Sequence, residues 1–164
     1  MKELMKFSDG SEQFTSNTEK NVTYVSRMQC LQAAIEQQIK DMGNGAADRK
    51  LGIVSFNSDV TVVGDGMMDP QIISGDKLFD YDFLLSNGTK QGTARMNHKI
   101  SETMDMLTKK LMSLEETGPT ALGPAVATSI AMAAEGGSGS QVVICTDGLA
   151  NIGLGAFDEA KTPE

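Results

Sequence analysis

The stretch "KLGIVSFNSDVTVVGDG" constrains the chain more than any other, because two β-rich runs, Leu51 to Phe56 and Val60 to Val63, are joined only by Asn57, Ser58 and Asp59. A connection that short cannot cross a sheet, so the runs form an antiparallel hairpin. On its N-terminal side Val25, Met28, Leu31, Ile35, Ile39 and Met42 recur at steps of three and four until Gly43. That spacing predicts an amphipathic helix, with Thr23 as its cap. On the other side Ile100, Met104, Leu107, Leu111 and Leu114 place a second long helix over Met96 to about Glu115, ended by Gly118-Pro119. Residues 65–95 carry Gly66, Asp69-Pro70, Gly75, Asn87-Gly88 and Gly92 between short apolar pieces. They read as irregular, with one short helix near Phe79 to Leu85.

Beyond "TGPTALGP", Pro124 suits a first helical turn, and Ala125 to Glu135 is Ala-rich enough to form a third helix lying close to a sheet. "GGSGS" breaks it. Then "QVVICTDGLANIG" runs an apolar segment, Val142 to Cys145, into Asp147. A continuous apolar run suits a strand buried on both faces. The order helix, strand, strand, helix, helix, strand predicts an α/β fold of layered type, with the antiparallel member near an edge. Residues 1–22 are polar and without sustained periodicity, so they read as an N-terminal extension or loop, and 23–164 as the domain.

At 164 residues the chain has the length of one domain. A net charge of −8 repels phosphate backbones, which argues against nucleic acid as a partner. No apolar run is long enough for a transmembrane segment, and "MKELMKFSDG" lacks the apolar core of a signal peptide. A cytoplasmic location is the expectation. Asn21-Val22-Thr23 and Asn87-Gly88-Thr89 are then chance glycosylation sequons. Cys30 and Cys145 fall on a helical pattern and an apolar run and read as buried free thiols, too few with the single His98 for a structural zinc site.

Chemistry has few candidates. In open α/β sheets ligands bind outside the carboxyl ends of the strands, which singles out Asp147, and Thr120 enters the helix that leads to the same strand. A hydroxyl with a carboxylate makes a hard donor pair suited to Mg²⁺ or Mn²⁺. Each also has an ordinary use, threonine as a helix cap and Asp-Gly as a turn. Met28, Met42 and Met104 lie on core stripes and read as packing; His98 reads as a surface residue without an acid-base companion. Neither "GDGMMDP" nor "EGGSGSQ" makes a phosphate loop, and no nucleophile and base pair can be argued.

The segments "TGPTALGPAVATSIAMA" and "SQVVICTDGLANIG", with "YVSRMQCLQAAIEQQI" and the hairpin before them, resemble von Willebrand factor A domains. The likeness is to intracellular Sec23/Sec24-trunk-like members and to the A domains attached to circularly permuted Ras-like proteins, over about Tyr24 to Gly155. It implies a Rossmann-like layered sheet with helices on both faces. It also implies a metal-ion-dependent adhesion site, in which Thr120 is the threonine ligand and Asp147 an aspartate acting through water. The family's first ligand group is Asp-x-Ser-x-Ser at the end of a buried strand. Here only "SDGSEQ" offers Asp9 and Ser11, with Gln13 in place of the last serine, after a stretch too charged for a central strand. By this resemblance the domain is incomplete: its first strand is expected upstream of Met1, its last strands are missing, and any Mg²⁺ or Mn²⁺ is held weakly by this chain alone.

The function that follows is a non-enzymatic interaction module. It would bind a protein partner, through a carboxylate completing the metal's coordination, in trafficking, coat or scaffold assembly. Two alternatives stand beside it: an Mg²⁺-dependent phosphoryl-transfer or hydrolase domain using Asp147, and a scaffold that has lost its metal.

Overall fold

The computed structural model describes residues 4–8, 22–115, 118–146 and 148–157. It is a mixed α/β structure. Strand β1 (Leu4–Ser8) pairs antiparallel with β2 (Val22–Ser26), so the expected N-terminal extension contains a strand. Helix α1 (Arg27–Gly45) follows directly. Its cap is Ser26, not Thr23: the Ser26 hydroxyl accepts from the Gln29 N–H at 3.1 Å, and the Gln29 side chain accepts from the Ser26 N–H at 2.8 Å. This reciprocal pair satisfies two amide donors at once, which a lone threonine could not do. Val25, expected on the helical stripe, consequently lies in β2.

The hairpin forms as expected. Strand β3 (Ile53–Phe56) pairs antiparallel with β4 (Val60–Gly64), and β5 (Gln71–Ile73) pairs antiparallel with β4 on its other side. The order β3-β4-β5 leaves β3 at an edge. After a 3-10 turn at Gly75–Leu78 comes α2 (Tyr81–Arg95), then α3 (Ile100–Met112) and α4 (Leu122–Ala134). Helix α2 is far longer than the short element expected near Phe79. Its Gly88 and Gly92 are not turn residues; they lie against α4, where a side chain would strike the backbone of Thr128 or Met132.

Alternation along β3 sends its residues into two cores. Val54 and Phe56 pack with Val60, Val62, Ile73, Leu78, Leu84, Ala121, Ala125 and Met132. Ile53 packs with Ile39, Ile100, Leu107 and Leu111, between α1 and α3. Met42 and Met104 join that second core, as their place on the helical stripes predicts. Helices therefore cover both faces of the sheet. Gln32 is 8% exposed and donates its amide to the carbonyls of Leu111 at 3.0 Å and Leu114 at 3.1 Å, closing the C-terminal end of α3.

One expectation fails outright. Residues 141–145 form no strand, and Val142, Val143 and Ile144 are 37%, 77% and 48% exposed. Cys145 is exposed with them and Cys30 is half-buried; both thiols are free. Apolarity favours burial, but a strand exists only through a ladder, and among the described residues none stands beside this run. The sheet is accordingly antiparallel among the described residues, and a Rossmann-like layout does not appear in it.

Candidate functional site

The rim singled out by the sequence is built by backbone clasps. β3 delivers Asn57 to the sheet end, where its carbonyl accepts the Ala121 N–H at 2.7 Å. The next bonds are reciprocal: the Thr120 N–H donates to Asn151 Oδ1 at 2.6 Å, and the Asn151 N–H donates to the Thr120 carbonyl at 3.1 Å. Thr120 is half-buried, and its hydroxyl lies 3.1 Å from where a Cβ on Gly148 would sit. Thr146 bends the same turn, its hydroxyl accepting the Gly148 N–H at 3.3 Å. Thr120 is thus brought against the residue that follows Asp147. Asp147 itself lies outside the described residues, as do Asp9, Ser11 and Gln13. Among the described residues no three His, Cys, Asp or Glu side chains come together to hold a metal.

Beside the rim an apolar depression of about 430 Å³ opens between α2, α4 and the C-terminal segment, lined among others by Tyr81, Leu85, Leu122, Val126, Ile130 and Phe157. Tyr81, Ile130 and Phe157 are 54%, 54% and 71% exposed.

A second polar centre lies at the opposite end of the hairpin. Asp65 follows β4, is 2% exposed, and accepts the N–H groups of Met67, Asn97 and His98, each at 3.2 Å. His98 Nδ1 stands 2.8 Å from Asp65 Oδ2. Burial pushes the Asp65 carboxyl up, but the His98 ring and the three backbone donors outweigh it and hold the group below the usual carboxylate range. His98 was expected to be a surface residue without a companion. Its ring is 43% exposed, yet it is tied to a buried carboxylate. No sequence signal linked the two, since they are 33 residues apart; they meet where the Asp65 N–H bonds to the Arg95 carbonyl and the Asp65 carboxylate takes the Asn97 and His98 N–H groups. A carboxylate only accepts, so Nδ1 is the ring nitrogen that donates to it.

Taken by itself, the architecture defines a mixed α/β domain with a loop-built rim at the end of β3 and a buried Asp–His clasp at the other end. Compared with known proteins, the chain is 35% identical over 139 residues to a protein named Circularly permutated Ras protein 1, from Dictyostelium discoideum. The alignment takes in 84% of this chain but 16% of that protein's length. No family model matches the chain, and no solved structure matches it.

This relative corrects several expectations. It is named a Ras protein, so the resemblance to von Willebrand factor A domains and Sec23/Sec24-like proteins gives way. With it go the metal-ion-dependent adhesion site, the role as an adhesion-type interaction module and the placement in vesicle transport or coat assembly. The expectation that the chain is no enzyme is overturned by the same finding, since the relative is named a Ras protein. The hydrolase alternative built on Asp147 fits no better. Among the described residues no helix is long and apolar enough to cross a membrane.

Proposed function

We propose that this chain is a segment of a Ras-like GTPase protein. The observation that carries the reading is the 35% identity extending over 139 residues, nearly the whole chain. GTP hydrolysis is then the activity of a larger polypeptide. The sequence contains no Gly-x-x-x-x-Gly-Lys-Ser/Thr, so the loop that cradles the nucleotide phosphates is supplied elsewhere in that polypeptide. In this reading residues 23–164 are one α/β unit beside the nucleotide-binding part, and 1–22 are its extension.

Mg²⁺ belongs to the same reading, since it would supply electrostatic neutralisation of the charge that develops during phosphoryl transfer. Thr120 and Asp147 are proposed as oxygen donors to Mg²⁺ or Mn²⁺ from this chain. The contact of Gly148 with the Thr120 hydroxyl supports the pairing by bringing the neighbour of Asp147 to that hydroxyl. A protein partner is proposed as well, at the apolar depression lined by Tyr81, Ile130 and Phe157.

The test compares this chain with the longer natural polypeptide that contains it. The longer protein should bind and hydrolyse GTP in the presence of Mg²⁺, and the chain alone should not. Absence of guanine-nucleotide binding by the longer protein would remove the reading. Mn²⁺ titration of the chain with Thr120→Ala and Asp147→Ala tests the donors separately; unchanged affinity in both variants excludes them.

A further inference from the structure

One residue holds the Thr120 peptide from both sides. Asn151 Oδ1 accepts the Thr120 N–H at 2.6 Å, and the Asn151 N–H donates to the Thr120 carbonyl at 3.1 Å. The next N–H, that of Ala121, donates to the Asn57 carbonyl at 2.7 Å. Peptide units are planar, so these three bonds fix the plane on each side of the Thr120 Cα and with them the direction of its Cα–Cβ bond. A β-branched side chain has few χ1 choices left after that. The hydroxyl it carries lies 3.1 Å from the Cβ position of Gly148, in the turn where the Thr146 hydroxyl accepts the Gly148 N–H. Asn151 is itself anchored. Ala150 before it is buried, and its carbonyl accepts the Phe157 N–H at 2.8 Å. Ile152 and Leu154 after it pack against the core that contains Val60 and Val62, and the Leu154 N–H donates to the Leu78 carbonyl at 2.8 Å. The clasp therefore ties Thr120 to a segment fixed by the core.

We propose that Asn151 is a positioning residue for the Thr120 hydroxyl, holding that oxygen at the rim in the orientation from which it donates to a divalent cation. The inference rests on the reading of Thr120 as an oxygen donor and deepens it by naming the group that orients the donor. Two features support it. The Thr120–Asn151 bond is solvent-exposed, where water can serve the Thr120 N–H in its place. Such a bond adds little net stability, so its effect falls on orientation. Asparagine also suits the task by its reach: its side-chain oxygen meets the Thr120 N–H while its own N–H meets the carbonyl of the same residue. A serine oxygen stops one bond short, whereas aspartate keeps the acceptor at the same distance from the backbone. Groups that orient metal ligands in this way matter to binding, and removing one costs roughly 10–100-fold in metal affinity.

Mn²⁺ binding to this chain, read from the electron paramagnetic resonance signal of the free ion, decides the matter. Asn151→Ala should weaken Mn²⁺ roughly 10-fold or more, and Asn151→Asp, which retains the acceptor, should bind it at least as tightly as wild type. Where alanine unfolds the chain, as a thermal melt shows, Asn151→Ser takes its place with the same expected loss. Asp65→Asn, in the clasp at the opposite end of the hairpin, is the control for a general loosening and should leave the affinity unchanged. Wild-type affinity in Asn151→Ala or Asn151→Ser overturns the proposal. So does an Asn151→Asp protein as weak as the alanine variant, or an equal loss in Asp65→Asn. A wild-type chain that binds no Mn²⁺ removes Thr120 as a donor and this inference with it, whereas binding that the Asn151 variants leave untouched removes the inference alone, so the two failures are distinguishable.

Discussion

Replacing Gly88 by alanine tests whether the α2–α4 contact is as close as the structure has it. A Cβ built at Gly88 would lie 2.6 Å from the Thr128 carbonyl oxygen, 2.6 Å from Ala131 Cβ and 3.3 Å from the Thr128 carbonyl carbon. None of these is the end of a flexible side chain, so relief requires one helix to move. Overpacking of a well-packed contact costs about 1–3 kcal/mol, and a backbone obstacle puts this site in the upper half of that range. Alanine in a helix returns about 1 kcal/mol over glycine. The net loss is about 1–2 kcal/mol, a fall of roughly 2–8 °C in Tm for a chain of this size. Gly45, in the last turn of α1, is the control: nothing lies within 4 Å of its Cβ position, so Gly45→Ala should be neutral or gain up to about 1 kcal/mol. Thermal melts followed by circular dichroism measure both. A Gly88→Ala protein that melts at or above wild type refutes the close approach and the reading of Gly88 as an interior helix residue.

Two further substitutions probe the buried polar groups. Asp65 is held below the ordinary carboxylate range in the folded chain, so protonation favours the unfolded state. Its contribution is complete above the unfolded value of about 3.9 and is lost as pH falls from there through the folded value. Urea midpoints from pH 6 down to pH 3 should therefore fall more steeply for wild type than for Asp65→Asn, which itself loses about 2 kcal/mol at pH 6 through its weakened bonds to Met67, Asn97 and His98. Equal slopes would show that Asp65 does not carry the acid sensitivity. Gln32→Ala leaves the carbonyls of Leu111 and Leu114 without their donor and should cost about 1–2 kcal/mol in a urea titration, whereas loss within 0.3 kcal/mol would mean water replaces the amide fully.

Local signals were legible wherever one element carries its own pattern. The steps of three and four fixed α1 and α3, and the short Asn57–Asp59 connection fixed the β3–β4 hairpin. Legibility ended where a residue's role depends on something distant. Glycine normally weakens a helix, so Gly88 and Gly92 read as breaks; only the passage of α4 explains them. Thr23 read as a cap because Ser26 also had to serve as the last residue of β2, a pairing set by a partner strand at Leu4–Ser8. The Asp65–His98 clasp is likewise tertiary. At the candidate site, Thr120 was legible as a loop hydroxyl at the start of α4, but its clasp with Asn151 joins parts of the chain 31 residues apart.

The run from Val142 to Asp147 shows why the functional reading changed. An apolar strand ending in an acid, with a threonine at the head of the preceding helix, is what any α/β sheet offers at its ligand edge. Such an edge can hold Mg²⁺ for adhesion, for phosphoryl transfer or for neither, so the pattern restricts architecture far more than chemistry. Agreement at 35% of positions over 139 residues constrains many side chains with no ligand role, and it distinguishes lineages that share the edge motif. The exposure of Val142, Val143 and Ile144 adds an independent point, because an apolar run becomes a strand only through a ladder and none stands beside it among the described residues. The 35% identity supports the proposal that the segment is part of a Ras-like protein, and the edge pattern by itself does not choose among the chemistries such an edge can host.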